Sequence, residues 1–171
     1  MVDFKAQLEK GFDAHEKASA AKKEINHILR EIAKVIEEYT DGKVSIYVKR
    51  ESLYTNTLSS LVKIGSIFSA PVNNKDAESQ TSLDDKLVAY DKLNDRKHDA
   101  ESLAYWSQSD AGYPCTLRFG GTKHNAFDRE SLELVLGELL ASSETGRIIS
   151  SIKLKAEAFN DETKKPSDGN A

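Results

Sequence analysis

YPCTLRFGGTKHNAFDRESLELVLGELLA, residues 113–141, reads as two strands followed by a helix, and that succession decides the fold class. Tyr113–Phe119 is strand-like, Gly120-Gly121 fits a two-residue turn, and Thr122–Phe127 returns as the partner strand. A Gly-Gly pair suits the tight hairpin turns whose two central residues need positive φ. Pro114 has no amide donor, so it belongs on an edge strand or among the first residues of its strand. Asp128 stands where a helix cap is needed, and Glu130 complements the positive end of the helix dipole. Leu132, Leu134, Val135, Leu136, Leu139 and Leu140 make that helix strongly apolar. After a break at Ala141-Ser142, Ser143 and Glu144 restart a last helix with Ile148, Ile149, Ile152, Ala156 and Phe159 on one face. Leu132, Val135, Leu136, Leu139, Ile149 and Ile152 are the residues expected to be buried.

At the other end of the chain, Ala18, Ala21, Ile25, Ile28, Ile32, Val35 and Tyr39 follow alternating intervals of three and four and share one helix face. Leu29 and Ile36 widen that face beyond a bare coiled-coil seam, which suits a helix lying on a folded core. Asp41-Gly42 ends it. Phe4, Leu8 and Phe12 recur at four-residue spacing, so the helical pattern extends back past Gly11. A helix over 3–40 is roughly 57 Å long, whereas a globule of this size has a radius of gyration of about 15–16 Å. Either the helix breaks near Gly11 or its first turns project and find a partner. Self-association through this N-terminal helix (1–41) is therefore expected.

Between these ends the period changes. Val44, Ile46 and Val48 alternate with Ser45, Tyr47 and Lys49, which predicts a half-buried strand. Ser60–Phe68 is its expected antiparallel partner, so the first hairpin spans 43–68. Ser82–Ser107 lacks glycine and proline, and Leu83, Leu87, Tyr90 and Leu93 fit a helix capped by Ser82, with Asp84 and Asp85 in its first turn. The alternative is two strands, Leu87–Tyr90 and Leu103–Trp106, joined by the polar run 94–101. Helix is the reading favoured by spacing. The predicted fold is α+β: a mostly antiparallel sheet of two hairpins, covered by a long N-terminal helix and the C-terminal helices. Residues 1–160 form one domain and 161–171 a polar, disordered tail.

The chain has 171 residues and a net charge of −4, with 30% charged residues of both signs scattered along it. This is an ordinary solvated surface, without the clustered lysines and arginines of a duplex-binding element. A lone cysteine, Cys115, leaves no intramolecular disulfide to form and suits a reducing, cytoplasmic setting. No apolar run approaches the roughly 20 residues that span a bilayer. An accessory protein of bacterial or viral type fits this composition.

The four histidines, His15, His27, His98 and His124, form no metal-ligand spacing, so neither a metal nor another cofactor is expected. Gly120-Gly121 opens a strand instead of a helix and makes no phosphate loop. Cys115 and His124 on paired strands are the one nucleophile–base candidate, but free cysteine is usually packed and inert. Asp84, Asp85 and Lys86 are the candidates for a metal-dependent nuclease, although neighbours in a helix point to different faces. No catalytic residue is assigned. Two binding sets remain. Trp106, Tyr113 and Arg118 are the residue types of protein-binding hot spots beside a glycine turn. Lys43, Tyr47, Lys49 and Arg50 form a basic strip with an aromatic, a pattern suited to nucleic acid. The favoured expectation is a non-catalytic protein that binds a protein partner, as inhibitors, immunity-type and assembly-accessory proteins do. A nucleic-acid-binding protein or nuclease is the alternative.

Overall fold

A computed structural model describes residues 3–50 and 85–164. The chain begins with one unbroken helix, α1 (Phe4–Tyr39), capped by the Asp3 carboxylate, which accepts the Lys5 and Ala6 amides. Then come β1 (Val44–Lys49), β2 (Asp85–Asp91), β3 (Arg96–Ser109), β4 (Gly112–Phe119) and β5 (Thr122–Ala126). Two helices close the chain, α2 (Arg129–Ala141) and α3 (Ser143–Lys164). The strands form an antiparallel sheet in the order β1-β2-β3-β4-β5. This is an α+β fold, and all three of the described helices contribute to one core.

Strand alternation sends Val44, Ile46, Leu87, Ala89, Ala104, Trp106, Cys115, Leu117 and Ala126 to that core. Ile25, Ile28 and Ile36 of α1 meet them there, with Leu132, Leu136 and Leu139 of α2 and Ile148 and Ile152 of α3. Val135 and Ile149, expected in the core, pack against it half-buried, while Leu134 is 65% exposed. The α1 face is 25, 28, 29, 32, 33 and 36, the 3.6-residue period of a straight helix. The strict seven-residue repeat fails at its end: Val35 and Tyr39 are exposed and Ile36 takes the buried place. A straight helix drifts off a 3.5-residue seam, so the seam residues rotate away from the sheet.

Local chemistry explains the element boundaries. Gly120 and Gly121 take φ +57° and +77°, the turn that the 113–127 hairpin requires. Asp128 accepts the Ser131 amide at 2.9 Å, and the Ser131 hydroxyl receives the Asp128 amide at 3.1 Å, a reciprocal cap for α2. Ser142 ends α2 and its hydroxyl accepts the Thr145 amide at 3.2 Å, starting α3. Pro114 lies in an interior strand, beside the bulge between Gln108 and Ser109 and before β5 pairing begins at Cys115, so its missing donor interrupts no ladder.

The favoured helix over 82–107 is not formed; β2 and β3 occupy 85–109 instead. Leu87 goes to the core, Tyr90 to the opposite face and Leu93 to an exposed turn, so their helical spacing is coincidental. The Asp91 carboxylate accepts both the Asn94 amide (3.0 Å) and its side chain (2.8 Å), and Asp95 adopts φ +49°; together they build the turn. Ser60–Phe68, expected opposite the first strand, lies outside the described residues, and β1 pairs with β2. Helix α3 runs to Lys164, past the start of the expected tail at 161; residues 165–171 lie outside the described residues.

Candidate binding surfaces

Two surfaces stand out from this architecture. The first is the N-terminal part of α1. Its docked half is pinned at several points. Gly112 (φ +98°) opens a gap into which Ala21 fits, since a Cβ there would lie 2.5 Å from the Ala21 Cβ. The Tyr113 hydroxyl donates to Glu24 at 2.9 Å; burial and that carboxylate push its pKa well up. At the far end, Thr40 is buried and its hydroxyl donates to the Ile36 carbonyl at 2.7 Å while accepting the Val44 amide at 3.1 Å. Glu37 accepts Lys92 and the Ser45 hydroxyl, contacts that hold its carboxyl below the usual range. Before Ala18 the picture inverts. Every residue from Phe4 to Lys17 except Ala6 is exposed, a stretch of about 21 Å. Phe4, Leu8 and Phe12 are 80%, 62% and 66% exposed on one stripe.

The second surface is the sheet face turned away from the helical core. Register aligns Lys49 with Lys86, Lys86 with Tyr105, Tyr105 with Arg118 and Arg118 with Lys123. Arg118 lies 4.8 Å and Lys86 5.7 Å from the Tyr105 ring centroid. Tyr47 and Tyr90 meet edge to face at 5.3 Å, and Lys97 sits 5.6 Å over Tyr90.

Neither of the two sets expected to bind comes together on one surface. Trp106 is 3% exposed in the core, Tyr113 is half-buried against α1, and Arg118 is on the far face of the sheet. They form no common surface. Of the basic strip, Tyr47 and Lys49 lie on the sheet face turned away from the helices, whereas Lys43 is bound to Glu157 at 2.7 Å. Arg50 lines a cleft of about 260 Å³ between α1 and the sheet, with Asn26, Arg30, Asp85, Trp106 and Gln108. That cleft mixes two guanidinium groups with a carboxylate and an apolar floor. Sequence reasoning did not group Lys86, Tyr105 and Lys123 with Lys49, because only strand register puts them in one row.

Cys115 is fully buried and its thiol is pushed up to about 12 by burial, which keeps it neutral near pH 7. Its register partner on β5 is Ala126, while His124 stands opposite Leu117. The imidazole stacks on Phe119 at 4.4 Å and lies 3.4 Å from Glu138. The pair therefore lacks the geometry of a nucleophile and its base. Asp85 borders the cleft and Lys86 belongs to the opposite face; Asp84 lies outside the described residues. Among the described residues no group of three potential metal ligands occurs, and no helix is long and apolar enough to cross a membrane. Compared with family models, curated proteins and solved structures, the chain matches none.

Proposed function

We propose that this is a non-catalytic protein of the inhibitor, immunity-type or assembly-accessory kind, acting by contact with a protein partner and pairing with a second copy through the first turns of α1. The observation that carries the reading is the stripe Phe4, Leu8 and Phe12, exposed on the first turns of a helix whose second half packs on the core. Large apolar side chains on an exposed element favour association, since covering them removes apolar area from water at about 25 cal/mol per Å². A symmetric pair uses the same stripe on both copies. The raised, buried Cys115 thiol and the engaged His124 ring support a role without covalent chemistry. The lone cysteine supports a reducing, cytoplasmic setting.

Light scattering of the full chain from low to high micromolar concentration tests this reading. The mass is expected to rise toward twice 18.9 kDa. Replacing Phe4, Leu8 and Phe12 together by glutamine returns it to a monomer with an unchanged melting curve, because these side chains contribute nothing to the core. A monomer at every concentration overturns the pairing.

A further inference from the structure

The apolar stripe on the first turns of α1 has two unlike flanks. At about 100° per residue, Phe4 and Phe12 lie within about 40° of a midline through Leu8. Lys5 and Glu9 border that midline on one side, at about 60° and 100°. Gln7, Gly11 and Ala14 border it on the other side and carry no charge. Lys10, Asp13 and Lys17 fall on the far side of the helix. Lys5, Gln7, Glu9, Gly11 and Ala14 are all exposed among the described residues. One flank therefore offers a cation and an anion four residues apart, and the other offers small or neutral groups. Charges that border an apolar seam set which helix pairs with it and in which direction.

We propose that a second copy lies antiparallel on this stripe, centred on Leu8, with Lys5 of each copy beside Glu9 of the other; the inference rests on the pairing reading above. A two-fold axis at Leu8 sets Phe4 of one copy against Phe12 of the other, and Leu8 against Leu8. In an antiparallel pair each flank meets the same flank of the partner, so the charged flank faces itself. Lys5 of one copy and Glu9 of the other are then two residues apart along the axis, about 3 Å. Both lysines gain a glutamate and both glutamates gain a lysine. The neutral flanks meet in turn, and Gly11, with open space around its Cα, lets the partner approach closely. A parallel pair would set Lys5 and Glu9 against Gln7, Gly11 and Ala14, which supply no countercharge. The charged flank is complementary to itself under the two-fold rotation, and this self-complementarity selects a second copy over an unrelated helix.

Charge swaps at these two positions, read by sedimentation equilibrium of the full-length chain, test the arrangement. Lys5→Glu leaves glutamate at both flank positions, and Glu9→Lys leaves lysine at both. Each variant alone should pair about tenfold more weakly than the parent, because like charges then face one another across the axis. An equimolar mixture of the two should regain the parent's dissociation constant or a tighter one, since every glutamate then meets a lysine of the other copy. Both variants also lose the Lys5–Glu9 spacing of opposite charges within one helix, a loss that mixing cannot repair. Recovery on mixing therefore reports contact between copies. Equal pairing by the parent, each variant and the mixture overturns the antiparallel arrangement and leaves the pairing itself standing. Weak pairing by each variant without recovery on mixing overturns it as well. A parent that stays monomeric at every concentration removes the pairing and this inference with it.

Discussion

The two halves of α1 are one helix by backbone and two elements by environment. From Ala21 to Thr40 the helix is held by Gly112, Tyr113, Ser45, Lys92 and the sheet core, and Ile25 and Ile28 are 1% and 2% exposed. From Phe4 to Lys17 it is held by its own backbone bonds and the Asp3 cap, with its largest apolar side chains in water. Helical stability in proteins comes mostly from packing an apolar face, and an isolated helix of about 12–15 residues is marginal. The docked half therefore acts as the nucleus on which the projecting half is extended. The difference teaches that helical pattern in a sequence does not say where the pattern is used. Apolar side chains at helical spacing build a core in one half and stand as an exposed stripe in the other.

Substitution separates the halves most sharply at matched apolar positions. Ile28→Ala is expected to cost about 2–5 kcal/mol in denaturant melts, since it empties a filled core site. Phe12→Ala, although it removes more atoms, should change monomer stability by no more than about 0.5 kcal/mol. Similar costs for the two would erase the distinction. Gly112→Ala comes next. Its Cβ would overlap Ala21 at a φ of +98°, so a loss above about 1 kcal/mol is expected, read as a lower melting midpoint. The smallest effect is a gain. Gly11 has open space around its Cα in mid-helix, so Gly11→Ala should stabilise the projecting half by roughly 0.5–1 kcal/mol, seen as greater helical ellipticity before the main transition. An alanine that weakens the helix there would mean that Gly11 is not in an open helix.

What was legible in the sequence was local. Gly120-Gly121 and Asp128 set the second hairpin and the helix after it through turn and cap chemistry alone. Length against domain diameter left α1 either to break near Gly11 or to project; the helix is unbroken there, and from Phe4 to Lys17 all but Ala6 are exposed. The strands at 85–109 were obscured for a physical reason. Leu87 and Ala89 face the core while Val88 is buried on the other side, and Leu103 is an extra residue in a bulge, so alternation is lost on both strands. Trp106 invited a hot-spot reading, yet a large aromatic beside a strand filled the core as its area favours. Lys43 follows the alternation of Tyr47 and Lys49, but α3 brings Glu157 to it across 114 residues. The Lys49–Lys123 row is legible only through the register of five strands.

The most direct measurement of the central claim is amide hydrogen exchange along α1 at low and high micromolar concentration. Amides from 25 to 36 should be strongly protected at both concentrations, because the core holds them. Amides from 8 to 17 should exchange fast at low concentration and become protected as concentration rises, because a second copy then covers the Phe4–Leu8–Phe12 stripe. Protection over 8–17 that is the same at both concentrations, whether high or low, would contradict the account.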